Sequence, residues 1–174
     1  MIDTLLKRKS VRSYTGENIT DEEINIILKA CDASPVGMKQ YETLHLTVVS
    51  NKELLNKIEL TTAKMFGKPD MHPLYGAPTL IVISSKKLPE HMANVMYSNA
   101  AIMSHNIALT ATSLNIGSCY IWGAIAAISN NEEIIKQLNL PEDFIPCCAV
   151  TLGKTNEEYD KKDISERISK SYIK

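Results

Sequence analysis

The chain has 174 residues, of which 44% are apolar and 22% charged; nineteen Lys and Arg face twenty Asp and Glu, for a formal charge of -1. This is the composition of a folded chain rather than a disordered one, and its length suits one domain able to bury about 70% of its extended surface. Near-neutral charge argues against general nucleic-acid binding, which needs a concentrated positive surface, and leaves room for one local basic pocket.

No repeat, low-complexity tract or Gly/Ser/Pro-rich linker divides residues 1–174, which read as a single domain. The first seven residues hold no apolar run of signal-peptide length. The most apolar stretch, 99–116, is broken by Ser104, His105, Asn106, Thr110, Thr112, Ser113 and Asn115. That pattern suits a buried helix and not a membrane span. Cys31, Cys119, Cys147 and Cys148 show no paired spacing, so a reducing, cytoplasmic setting is expected. Cys147 and Cys148 are expected on opposite sides of a strand.

In chain order, a short helix is predicted over Asp3 to Arg8 with Ile2, Leu5 and Leu6 inward. Thr20-Asp21-Glu22-Glu23 has the form of a capping box, followed by Ile24, Ile27, Leu28 and Cys31 at helical spacing and a stop at Ser34-Pro35. Leu44 to Val49 reads as a strand. Asn51 then caps a helix whose stripe is Leu54, Leu55, Ile58, Thr62 and Met65. Residues 67–78, with three prolines and two glycines, read as a loop, and Thr79 to Ile83, apolar on both faces, as a central strand. A long helix is predicted from Ala93 to Ile116, stopped by Asn115 and Gly117. A strand from Ser118 to Ile121 follows, with a turn at Gly123. Glu132 to Leu138 forms a helix after Asn130 or Asn131, and Ile145 to Leu152 a further apolar strand. Ile164, Ile168 and Tyr172 predict a last amphipathic helix. Together these elements give an α+β protein, a central sheet with helices around it.

Three segments carry chemistry. Arg8-Lys9-Ser10-Val11-Arg12 places three cations and a hydroxyl within five residues. Guanidinium forks bind phosphate with paired charge-assisted bonds, although a solvated surface patch has the same composition. In Ser34 to Gln40, the Gln40 amide both donates and accepts, as reading the polar edge of a heteroaromatic ring requires; an ordinary turn with a surface Gln is the alternative. In Asn115 to Gly123, Gly117 and Gly123 permit backbone approach to a ligand while Tyr120 and Trp122 can stack on one. Core aromatics beside a helix stop are the alternative there.

No Gly-rich phosphate loop, nucleophile elbow or metal-ligand spacing is present, and His45, His72, His91 and His105 are scattered. With so few acid–base groups, catalysis would fall to a bound organic cofactor. A thiol enzyme using Cys119 or the Cys147-Cys148 pair is a rival reading, which demands a cationic or helix-terminal setting for a low-pKa thiolate.

Taken in order, these segments resemble the nitroreductase family of FMN-dependent oxidoreductases. Arg8-Lys9-Ser10-Val11-Arg12 is similar to its opening Arg-Arg-Ser-x-Arg signature, and Ala33 to Gln40 to its Ser-rich loop ending in Asn-x-Gln. Tyr75-Gly76-Ala77-Pro78, Asn106 to Ala111 with Ile116 to Ile121, Leu152-Gly153 and Lys161-Lys162 follow the same pattern, from about Leu5 to Arg167. The resemblance implies a nitroreductase-like central mixed or antiparallel sheet in an intertwined homodimer with two FMN sites at its interface. Arg8, Lys9, Ser10 and Arg12 would hold the phosphate and the pyrimidine edge, with charge added by Lys161 or Lys162. Pro35, Val36, Gly37, Met38 and Gln40 would come from the other subunit, and Tyr120, Ile121, Trp122 and Gly123 would lie along the ring near N5. Met38 stands where the family usually has Asn, and Lys162 where it has Arg. The implied activity is ping-pong hydride transfer from NADH or NADPH through FMN to a small-molecule acceptor such as a nitroaromatic, quinone or free flavin. No metal, nucleic acid or membrane is implied, and a flavin store or sensor with little turnover would share the same residues.

Overall fold

A computed structural model describes residues 2–174. Four strands form one antiparallel sheet in the order β1 (Leu44–Val49), β2 (Thr79–Lys86), β4 (Phe144–Gly153) and β3 (Gly117–Tyr120). The two central strands pair with Ile81 opposite Val150, and β1 joins with Val48 opposite Ile81.

Alternation along β2 explains why both faces of the sheet are covered. Ile81 and Ile83 point into one core with Ile107, Ala111 and Val150, under α2 (Asp21–Asp32) and α4 (Ala93–Ser113). Leu80 and Val82 point into the other, with Ile58, Ile128 and Ile134, under α3 (Lys52–Met65), α5 (Trp122–Ser129) and α6 (Glu132–Gln137). Each such side chain is fully buried and is worth about 1.5–3 kcal/mol relative to its exposed state.

Local signals set the helix ends. Thr20 accepts from the Glu23 N–H while Glu23 accepts from the Thr20 N–H, the reciprocal pair of a capping box. Asn51 caps α3 through the Leu54 N–H. At the end of α4, Asn115 adopts φ 56°, Ile116 N–H donates to the Ala111 carbonyl, and Asn115 N–H donates to that of Thr112. This Schellman arrangement ends the helix at Ser113, three residues before the predicted Ile116, and turns the chain straight into β3.

Other expectations are corrected. The first helix, α1, spans Ile2–Lys7 and buries none of its residues; Ile2 and Leu5 are exposed. Met65 lies outside the buried stripe of α3. Gly123 is not a turn but the second residue of α5. No helix forms over residues 164–172, whose Ile164, Ile168 and Tyr172 stand in solvent. Cys147 and Cys148 enter the same core because a register shift between Ile83 and Ser84 makes Cys147 the extra residue of a bulge. Among the described residues, no helix is long and apolar enough to cross a membrane.

Candidate functional site

The segment after α1 runs along the free edge of β3. Val11 N–H donates to the Ser118 carbonyl at 2.9 Å, and Thr15 N–H to that of Lys154 at 2.9 Å. Close approach is possible because residue 117 is glycine: a Cβ there would lie 3.0 Å from Val11, from Tyr14 and from the Gly153 carbonyl.

The chain after β4 straps this segment from outside. Glu157 pairs with Lys9 at 2.9 Å and accepts from the Arg12 N–H. Thr155 donates to the Ser13 carbonyl, and Tyr159 donates its hydroxyl to that of Ile116 at 2.7 Å. Lys162 donates through its backbone to Leu6 and through its ammonium to the Arg8 carbonyl.

The cations so positioned differ in their surroundings. Lys9 is held by Glu157 and lies over the Tyr159 ring, and Lys161 is held by Asp3 at 2.7 Å. Arg8 lies 5.6 Å over the Tyr120 ring and Arg12 lies 5.9 Å over that of Tyr75. Among the described residues, Arg8, Arg12 and Lys162 have no carboxylate partner. Partial burial, then repulsion from Arg8, Arg167 and Lys9, pulls the Lys162 amine below the ordinary lysine range. A group of like charges held together without a counterion is unfavourable by itself and becomes favourable when an anion enters.

Beside this cradle, Tyr120, Ile121, Trp122 and Gly123 line a cleft of about 230 Å³ with Thr62, Phe66, Met71, Pro73 and Tyr75. Tyr75 and Tyr120 thus join the cleft to Arg12 and Arg8. Ser10 lies between Lys9, held by Glu157, and Val11, whose N–H donates to the Ser118 carbonyl, so it shares the segment laid against β3. Gly123 does not open the cleft to a ligand; a Cβ there would meet the Phe66 ring at 2.7 and 2.9 Å, so this glycine lets α5 pack on Phe66. A larger apolar cleft, about 580 Å³ between Tyr97, Ile135 and Phe144, lies at the start of β4. The cations described above do not line it.

The structure therefore gathers Arg8, Lys9, Ser10, Arg12, Tyr120, Ile121, Trp122, Gly123, Lys161 and Lys162 at one end of the sheet. Pro35, Val36, Gly37, Met38 and Gln40 lie elsewhere in the same chain. Gly37 N–H donates to Asn99 at 3.1 Å and Gly37 packs on Val95, while Ser34 at the loop's entry accepts from Asn106, so the loop lies along the middle of α4 with its tip toward the N-terminal half. Met38 takes φ 55° and is 65% exposed. Tyr120 instead touches the C-terminal half of α4, where its hydroxyl lies 2.9 Å from His105 Nδ1.

Sequence reasoning missed His105, Glu157 and Tyr159. None belongs to a local motif; each is identified by a contact with residues 15 or more positions away. All four cysteines are free and buried. Burial raises the Cys119 thiol despite Arg12 nearby, and pushes Cys31 to about 12 and Cys147 to about 11. These are inert thiols, which removes the support for a thiol enzyme.

A four-stranded antiparallel sheet between helical layers, with a cluster of cations beside an aromatic cleft at one end, defines an α+β protein. The chain belongs to the nitroreductase family, whose model matches residues 5–154. A protein of Methanothermobacter thermautotrophicus, provisionally named an NADH dehydrogenase/NAD(P)H nitroreductase, is 28% identical over 170 residues, covering 94% of this chain and 82% of its own. An FMN reductase (NADPH) of Bacillus subtilis is 24% identical over 165 residues, covering 87% of this chain and 64% of its own. Among solved structures, a nitroreductase with bound FMN from Bacteroides fragilis superposes with TM-score 0.82 at 27% identity, covering 99% of this chain and 98% of that one. A second, from Desulfitobacterium hafniense, superposes with TM-score 0.86 at 24% identity, covering 99% and 97%.

Proposed function

We propose that this chain is an FMN-dependent NAD(P)H oxidoreductase that completes its site as a homodimer. The observation that carries the reading is the set of unpaired cations Arg8, Arg12 and Lys162 beside the Tyr75–Tyr120–Trp122 cleft. A phosphate satisfies the first and a flat conjugated ring suits the second. The names of the relatives and the FMN in similar structures support the same assignment. Four free, buried cysteines accord with a cytoplasmic setting.

Arg8, Ser10 and Lys162 hold the phosphate, with Arg167 nearby. Lys161 is already paired with Asp3, which makes Lys162 the phosphate ligand of the two. Arg12, held over the Tyr75 ring, would supply positive charge to a flavin in the adjoining cleft and favour its reduction. Tyr120 and Trp122 present faces for stacking. Lys9 acts mainly through Glu157, steadying the loop. Flavin held at this site would supply hydride transfer from NADH or NADPH to an electron-poor small molecule such as a nitroaromatic, quinone or free flavin, in ping-pong order.

A second subunit supplies what one chain leaves apart. Tyr97, Ala101 and His105 share the outer face of α4 at i, i+4, i+8, with the smallest residue at the centre. A two-fold axis through Ala101 sets residue 97 of one protomer against residue 105 of its partner. The Pro35–Gln40 loop, fixed near Val95 and Asn99, is thereby brought to the partner's cradle near Tyr120.

Purified protein titrated with FMN is expected to saturate at one FMN per chain and to elute as a dimer. Steady oxidation of NADH or NADPH only in the presence of an acceptor confirms an enzyme. Stable FMN binding without that turnover marks a flavin store instead.

A further inference from the structure

Tyr120 closes β3, and the chain turns at Ile121 into α5, so no further strand ladder holds its side chain. Two contacts fix the ring: the Arg8 guanidinium 5.6 Å over its face, and His105 Nδ1 at 2.9 Å from its hydroxyl. His105 has no other hydrogen-bond partner among the described residues, and neither does the Tyr120 hydroxyl. We propose that His105 is a positioning residue for the flavin site: through the Tyr120 hydroxyl it holds the Tyr120 ring under Arg8, at the wall of the cleft. This role rests on the flavin reading above.

The ionisable groups facing His105 are Arg8 and Tyr120 and, in the dimer proposed above, the tyrosine at position 97 of the second copy. Only Arg8 adds a charge effect on the imidazole; burial first, then Arg8, keep it below the ordinary histidine value of 6.5. Burial also raises the Tyr120 phenol. At neutral pH both groups are uncharged. Tyr120 is assigned as the donor to Nδ1, with the imidazole proton on Nε2, an assignment the nitrogen shifts below test. Acidification places a proton on Nδ1, reverses the direction of the bond and sets a second cation beside Arg8. The pair therefore couples ring position to pH, which an apolar contact of the same shape would not do.

Two measurements on the full chain test this. In the first, the side-chain nitrogens of His105 are followed by NMR without FMN; Nδ1 is expected to show an acceptor's shift at neutral pH, lost in Tyr120→Phe. In the second, FMN dissociation constants are measured for His105→Leu, Tyr120→Phe and the double variant. Each single change is expected to weaken binding about 2- to 12-fold, the worth of one hydrogen bond, and the double change no more than either alone. His105→Gln, which can still accept the hydroxyl proton, is expected to stay near wild type at pH 7.5 and to lack the change in affinity expected of wild type below pH 6.5. Wild-type affinity in His105→Leu, or multiplicative losses in the double variant, overturns the role of His105 while leaving the flavin reading intact. A wild-type protein that binds no FMN overturns both, whatever the NMR shows.

Discussion

Lys161 and Lys162 are neighbours with opposite electrostatic settings: the first lies against Asp3, while the second feels repulsion from Arg8 and Arg167 and has no carboxylate partner among the described residues. Lys162→Met is therefore expected to weaken FMN binding, measured by fluorescence quenching, far more than Lys161→Met; equal losses would show that the cradle is a diffuse field. Arg8→Ala removes a charge-assisted bond worth about 1.5–3 kcal/mol and is expected to raise the FMN dissociation constant about 10- to 150-fold. At residue 123 the conflict is steric. Gly123→Ala drives a methyl into the Phe66 ring, an overpacking that typically costs about 1–3 kcal/mol. Phe66 is 48% exposed, so Phe66→Leu in the same chain is expected to restore most of that loss in a denaturant melt. Unchanged stability in Gly123→Ala would mean that the ring swings aside without cost.

Between elements, the junction that matters most is the strap of residues 154–162 across residues 8–15. Its carboxylate, Glu157, is held below the ordinary glutamate value of 4.5, first by Lys9 and also by the Arg12 N–H, against the opposing effect of burial. A depressed folded-state value means stability that is fully present above about pH 4.5 and is lost as pH falls through the lower value. Glu157→Gln is thus expected to lower stability at neutral pH and to flatten its fall below pH 4.5; a parallel downward shift at every pH would contradict this linkage. Tyr159→Phe leaves the Ile116 carbonyl without its donor and is expected to cost about 0.5–1.5 kcal/mol. These contacts explain which elements were legible in the sequence. α2 and α3 carry their caps in their own residues, Thr20 with Glu23 and Asn51, and β2 announces its central place by being apolar on both faces. α5 was not legible: no side chain caps it, Gly123 sits in its first turn, and Ala124 and Ile128 are helical only because the core beneath α3 receives them. The predicted last helix failed for the converse reason. Ile164, Ile168 and Tyr172 have helical spacing but no surface of their own protomer to bury against.

For the molecule as a whole, the clustering of cations from Arg8 to Arg12 was legible because the residues are consecutive, whereas which cations find a carboxylate partner was not. Which lysine is free depends on Asp3, Glu157 and Arg167, brought together only by folding. Tyr97, Ile102, Ile164, Ile168, Tyr172 and Ile173 are exposed, apolar surface that the proposed dimer would cover. The central claim is that Arg8 and Lys162 form an anion cradle that FMN completes. Equilibrium titration with FMN, run side by side on wild type, Lys161→Met and the Arg8→Ala/Lys162→Met double variant, tests it most directly. The prediction is saturation at one FMN per chain for the first two and loss of saturable binding in the third. Tight, stoichiometric FMN binding by the double variant would contradict it.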